Sequence, residues 1–160
     1  MADGAKWPTG NCMCGAVRYE VTGQPSRVLH CHCESCRGHT GAPMATLAVF
    51  KASQVAFSGD ERKPFASAPG VERAFCANCG TSLTWETVFG DEGRLCAIHI
   101  STFDNPDVLK PTAHSFYPER ISWFDTADSL PRHAGFVAGS EPLQHGPSLK
   151  EMPETKTKTN

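Results

Sequence analysis

The 160-residue chain carries 15 Lys+Arg against 17 Asp+Glu, a formal charge of −2, with 20% charged and 39% hydrophobic residues. That balance suits a globular domain large enough to bury its own core, and it offers no basic patch for nucleic acid. No apolar stretch approaches the length of a membrane span, and the first ten residues hold no apolar run of the kind found in a signal peptide. We therefore expect a cytoplasmic, reducing setting, where clustered cysteines are metal ligands rather than disulfides.

Strand signals dominate. Residues 16–21 alternate as a half-buried strand does and are followed by Gly23. Val28 and Leu29 lead into a cysteine cluster at Cys31, and residues 38–43 are turn-rich. Residues 44–50 form an almost continuous apolar run of strand length, and 54–58 read as a short strand closed by Gly59 and Asp60. Residues 71–75 lead into a second cysteine pair, 81–88 lead out of it, and 95–101 alternate again. Asp104, Asn105 and Pro106 make a turn, and 111–123, with two prolines and several aromatics, reads as extended. Many short strands without a long helical period or a repeat predict a mainly β fold of small antiparallel sheets. One domain is expected over residues 1–138. Residues 139–160 turn polar and Pro/Gly-rich, too poor in apolar residues to offset the entropy of ordering, and are expected to form a flexible tail.

The cysteines carry the chemistry. They fall as Cys12 and Cys14, then Cys31, Cys33 and Cys36, then Cys76 and Cys79, with Cys96 alone. In an extended chain residues i and i+2 share a face, so Cys12 and Cys14 can chelate one ion together, as can Cys31 and Cys33. The same rule sends His30 and His32 to the other face. Gly80, after Cys79, suits a tight turn whose N–H groups point at thiolates. Seven clustered ligands divide into four plus three. Cys12, Cys14, Cys76 and Cys79 are expected to close a structural zinc site. Cys31, Cys33 and Cys36 are expected to hold a second zinc with a position for water or substrate, as catalytic sites do. Cys96 shares a strand face with Ile98 and Ile100 and reads as a buried core thiol. Were it an eighth ligand, both sites would be closed and the protein non-enzymatic.

These residues resemble the glutathione-dependent formaldehyde-activating enzyme family, which also includes centromere protein V domains. The resemblance runs from about Gly10 to Ala134. It rests on GNCMCGAVRY from Gly10, HCHCESCR from His30 and RAFCANCGTSL from Arg73, with a weaker match at HSFYPERISW from His114 and at Asp128 to Pro131. It implies the so-called β-tent of two or three small antiparallel sheets, and the same division of the seven cysteines between two zinc ions. It also implies carbon–sulfur lyase chemistry, joining a small thiol such as glutathione to an aldehyde such as formaldehyde, or the reverse.

In such a mechanism the thiolate is the nucleophile, and a thiol titrates near 8.5 when free. Three thiolate ligands already load the metal with negative charge, so thiol capture is favoured over strong carbonyl activation. Arg37 is a candidate for a substrate carboxylate or for a surface ion pair. His114 is either substrate-facing or a hydrogen-bonded packing residue. His32 and Glu34, beside the second site, are either proton shuttles or solvated. Trp85, Trp123, Phe75 and Phe124 read as core. The competing reading is a zinc-stabilised module that binds a small thiol or a protein without turnover. Chromatin association, by analogy with the centromere branch, is opposed by the near-neutral charge.

Overall fold

The computed structural model describes residues 8–144. Among the described residues it is mainly β, with ten strands in two sheets, one short α-helix and five single-turn 3-10 helices. A three-stranded antiparallel sheet contains β1 (Thr9–Asn11), β2 (Val17–Val21) and β5 (Val55–Gly59), with β2 in the centre. The second sheet has seven strands in the order β10-β3-β4-β9-β8-β7-β6. These are β3 (Arg27–Cys31), β4 (Ala45–Lys51), β6 (Arg62–Ala68), β7 (Val71–Cys76), β8 (Ser82–Val88), β9 (Arg94–His99) and β10 (Ala113–Ser115). Pairing is antiparallel except at one edge, where β10 runs parallel to β3. The helix α1 (Glu34–Thr40) follows β3 directly.

Alternation decides which residues meet. On β2 the pattern is strict, with Val17, Tyr19 and Val21 buried and Arg18 and Glu20 exposed. These three join Ala48 and Phe50 of β4 and Cys96 and Ile98 of β9 in a core between the sheets. The other face of β4 and β9 presents Ala45, Leu47, Val49, Leu95 and Ala97, which cluster with Leu29, Cys31 and Cys36. The large sheet is thus apolar on both faces where β3, β4 and β9 meet. Gly10 is required where it stands, because a Cβ there would overlap the Tyr19 hydroxyl and the Thr102 carbonyl.

Two expectations need correction. The sequence shows no helical period, yet α1 forms; with seven residues and Cys36 as its one buried side chain, it has too little apolar periodicity to register. Trp123, expected in the core, is 76% exposed, on a segment without regular structure between Arg120 and Pro131. Of the expected tail over 139–160, residues 145–160 lie outside the described residues. Within the described part, the Ser140 hydroxyl donates to the Phe136 carbonyl, and the Leu143 N–H donates to the Arg132 carbonyl at 2.7 Å. No helix among the described residues is long and apolar enough to cross a membrane.

Candidate metal centres

The closed cluster joins the two sheets. Cys12 and Cys14 lie in the turn between β1 and β2, Cys76 ends β7, and Cys79 lies in the turn to β8. Their four sulfurs lie within 4.8 Å of one another. Cys12 and Cys14 Sγ are 3.5 Å apart, and Cys14 and Cys76 Sγ are 3.8 Å apart. Four sulfurs held about 2.3 Å from a tetrahedral zinc lie roughly 3.8 Å from each other, so the donor set fits that ion. Polar donors face the sulfurs. The Val17 N–H reaches Cys12 Sγ at 3.3 Å, and the Asn78 side-chain amide reaches Cys14 Sγ at 3.2 Å. The Thr81 hydroxyl, 3.1 Å from Cys79 Sγ, is the main cause that lowers the Cys79 thiol to about 6. Gly80 adopts φ +76°, and its N–H closes the turn onto the Cys76 carbonyl at 2.8 Å.

The second cluster is built at the β3–α1 junction. Cys31 is the last residue of β3, Cys33 is the N-cap of α1, and Cys36 lies in its first turn. Their sulfurs also lie within 4.8 Å of one another, with Cys31 and Cys33 at 3.5 Å. Cys33 does the work of a capping residue, since its sulfur accepts the Cys36 N–H at 3.3 Å. Hydrogen bonds from the Cys31 and Cys36 thiols, helped by that N–H and by Arg73, pull the Cys33 thiol far below its ordinary range. Cys31 is pushed up, because its proton is shared with Cys33. Negative charge therefore settles on Cys33 first. Among the described residues, no fourth Cys, His, Asp or Glu atom lies within 4.8 Å of all three.

Sequence reasoning missed the cation of this site. Arg73 on β7 is 4% exposed and donates from both Nη1 and Nη2 to Cys36 Sγ, each at 3.6 Å. Its Nε has no partner among the described residues. Arg73 lies inside the RAFCANCG motif, but its reach from β7 to α1 has no signature in sequence spacing. Arg37, the candidate for a substrate carboxylate or a surface ion pair, donates from Nε to the His32 carbonyl at 3.1 Å.

Cys96 is 1% exposed, packed in the inter-sheet core, and burial pushes its thiol up to about 12. It joins neither cluster. His32 is not solvated. It is fully buried on the face away from the thiols, with Nε2 2.8 Å from His114 Nδ1. His114 Nε2 is 3.1 Å from both Asp128 oxygens. His114 therefore donates from Nε2 to Asp128 and accepts at Nδ1 from His32. That assignment leaves His32 Nδ1 as a bare lone pair, and His32 Nδ1 has no partner among the described residues. Burial is the largest influence holding His32 down at about 4. His114 is thus a hydrogen-bonded packing residue. His30, His114 and Asp128 also bring ligand atoms within 4.8 Å, with His114 bonded to Asp128 and His30 Nδ1 2.9 Å from the Thr46 hydroxyl.

Above the second cluster lies a chamber of about 360 Å³. All three thiols line it, with Arg73, Trp85 and Phe116 on its walls and Glu34 exposed at its mouth. Trp85 is half-buried, packs against the core cluster of Leu47, Val49 and Ala97, and also lines this space. Phe75 is also half-buried and lines a separate cleft beside His39.

A family model described as glutathione-dependent formaldehyde-activating enzyme matches residues 7–119. A Schizosaccharomyces pombe protein named as an uncharacterized lyase is 34% identical over 74 residues, 46% of this chain and 53% of its own length. The chain thus spans about half the length of that curated relative. A crystal structure of a Rhodobacter sphaeroides protein superposes with a TM-score of 0.51 at 21% identity, covering 64% of this chain and 96% of that one, a likeness of fold alone.

Proposed function

The chain belongs to the glutathione-dependent formaldehyde-activating enzyme family, and from that premise we propose that it is a zinc-dependent carbon–sulfur lyase. It would join a thiol such as glutathione to formaldehyde or a related aldehyde, and run the reverse cleavage. The observation that carries this reading is three cysteine sulfurs, not four, gathered at the wall of a chamber. In the forward direction a carbon–sulfur bond forms, the carbonyl π bond opens onto oxygen, and the thiol proton ends on the new hydroxyl.

Cys31, Cys33 and Cys36 would hold the second zinc, and Cys12, Cys14, Cys76 and Cys79 the structural one. When bound, the second zinc supplies a positive centre that keeps a substrate sulfur ionised at neutral pH. The chain's own groups do the rest. Arg73 offsets part of the charge of three thiolates through its two N–H donors on Cys36 Sγ. The apolar walls exclude water from the carbonyl carbon. Glu34, exposed at the mouth, is placed to exchange the thiol proton with solvent.

The test is exchange spectroscopy on a glutathione–formaldehyde mixture with catalytic amounts of the zinc-loaded protein. The interconversion should accelerate with wild type and return to the uncatalysed rate with Cys31→Ser. No acceleration with any thiol–aldehyde pair would leave the competing reading, a zinc-stabilised module that binds without turnover.

A further inference from the structure

The chamber is larger and less polar than a formaldehyde site needs. Its floor is the outer face of β4, with Leu47 and Val49, and its walls are aromatic. Phe136 is the keystone. Its ring centroid lies 4.9 Å from Phe116, 5.1 Å from Phe89 and 6.3 Å from Trp85, all tilted or edge-on. Phe116 takes φ 53°, the one described non-glycine residue with positive φ, and its N–H donates to the Gly135 carbonyl at 3.1 Å. An aromatic side chain held in that conformation signals a constrained position beside the site.

The charges in the chamber are already engaged or are of the wrong sign for an anion. Arg27 places both Nη atoms on the two oxygens of Glu92 at 3.0 Å. Arg73 turns both Nη atoms to Cys36 and keeps only its buried Nε unpartnered among the described residues. Glu34 and Glu119, both exposed at the mouth, are anionic. The two carboxylates of glutathione would therefore find at most the single Arg73 Nε–H inside, and formaldehyde would leave the aromatic walls uncovered.

We infer that one partner of the adduct carries an uncharged hydrocarbon group of about aromatic-ring size, which binds among Trp85, Phe89, Phe116 and Phe136. This rests on the reading of Cys31, Cys33 and Cys36 as the reacting site. The group would enter either on the aldehyde or on the thiol, and the chamber serves both in the same way.

The experiment uses the full zinc-loaded chain with three pairs: glutathione with formaldehyde, glutathione with phenylacetaldehyde, and benzyl mercaptan with formaldehyde. Burying a phenyl group should raise kcat/KM, corrected for the uncatalysed rate, by about 10- to 100-fold in one of the two apolar arms, and the responding arm names its source. Phe136→Ala, at a position 47% exposed, should narrow that ratio. Equal rates in all arms, or a preference that Phe136→Ala leaves intact, would overturn the inference. Should no pair turn over, the lyase reading fails, and binding alone judges the chamber. Benzyl mercaptan should then quench a fluorescence signal that Trp85→Phe removes, and bind at least about 10-fold more tightly than glutathione. Equal or weaker binding would overturn the inference on its own.

Discussion

Arg73 and Cys36 are joined by a forked contact, two guanidinium nitrogens each 3.6 Å from one sulfur, with the arginine 4% exposed. A buried guanidinium is retained where it meets negative charge, and here that charge is sulfur. Loading zinc onto the ionised Cys33 and the two protonated thiols releases two protons and puts thiolate charge on Cys36 Sγ, where Arg73 donates. Arg73→Met should therefore weaken zinc at the second site by about tenfold near neutral pH, about 1.4 kcal/mol. Cys33 is held low while Cys31 and Cys36 are pushed up, so the deficit should persist across the neutral range. Chelator competition between pH 6.5 and 8.5 reads this directly; an unchanged affinity across that range would remove Arg73 from the account.

The two clusters differ in what they hold together. Cys12, Cys14, Cys76 and Cys79 tie the small sheet to the large one, whereas Cys31, Cys33 and Cys36 lie within one β3–α1 junction. Graded chelation should strip the three-cysteine site first, with little change in far-UV circular dichroism. Cys79→Ser should unfold the domain, and Cys31→Ser should leave it folded with one zinc per chain. Simultaneous loss of both ions with unfolding would contradict this order.

Gly10 faces the Tyr19 hydroxyl, which is hydrogen-bonded to Thr102 at 2.8 Å. Gly10→Ala has no room to relax, because the Thr102 backbone also blocks the new methyl group. It should destabilise the fold by about 1–3 kcal/mol in urea unfolding. The adjacent Cys12 loop would then lose zinc more readily than in wild type.

His99 is buried beside His39 and Arg73, with Nε2 unpartnered among the described residues. Burial chiefly, then those two neighbours, lowers it from 6.5 to about 3. The unfolded chain therefore binds a proton that the folded chain refuses. The contribution is complete above pH 6.5 and is lost progressively as pH falls toward 3. His99→Leu should show a shallower decline of stability than wild type over this window. A parallel decline in both proteins would contradict the linkage.

Much of the fold was legible because its strands alternate. Val17, Tyr19 and Val21 announce β2, and the run from Ala45 to Phe50 announces β4 because that strand is buried on both faces. The β6 strand left no signal, since it is a largely exposed edge strand with Pro64 inside it. The seven clustered cysteines and the isolation of Cys96 were legible from spacing alone, and the structure brings the seven together in the expected groups. The chamber was not legible. Its walls come from β4, β8, the turn after β8, the segment after β10 and the loop at Phe136, and no local pattern links them. Arg73 was hidden for the same reason, its partner lying 37 residues away on α1.

The most direct test of the central claim is the sulfur coordination of zinc by X-ray absorption, before and after addition of a small thiol. The account predicts an average below four sulfurs per zinc in the two-zinc protein, rising to four when the thiol is added, with no rise in Cys31→Ser. Four sulfurs at every zinc before addition, or no response to any thiol, would contradict it.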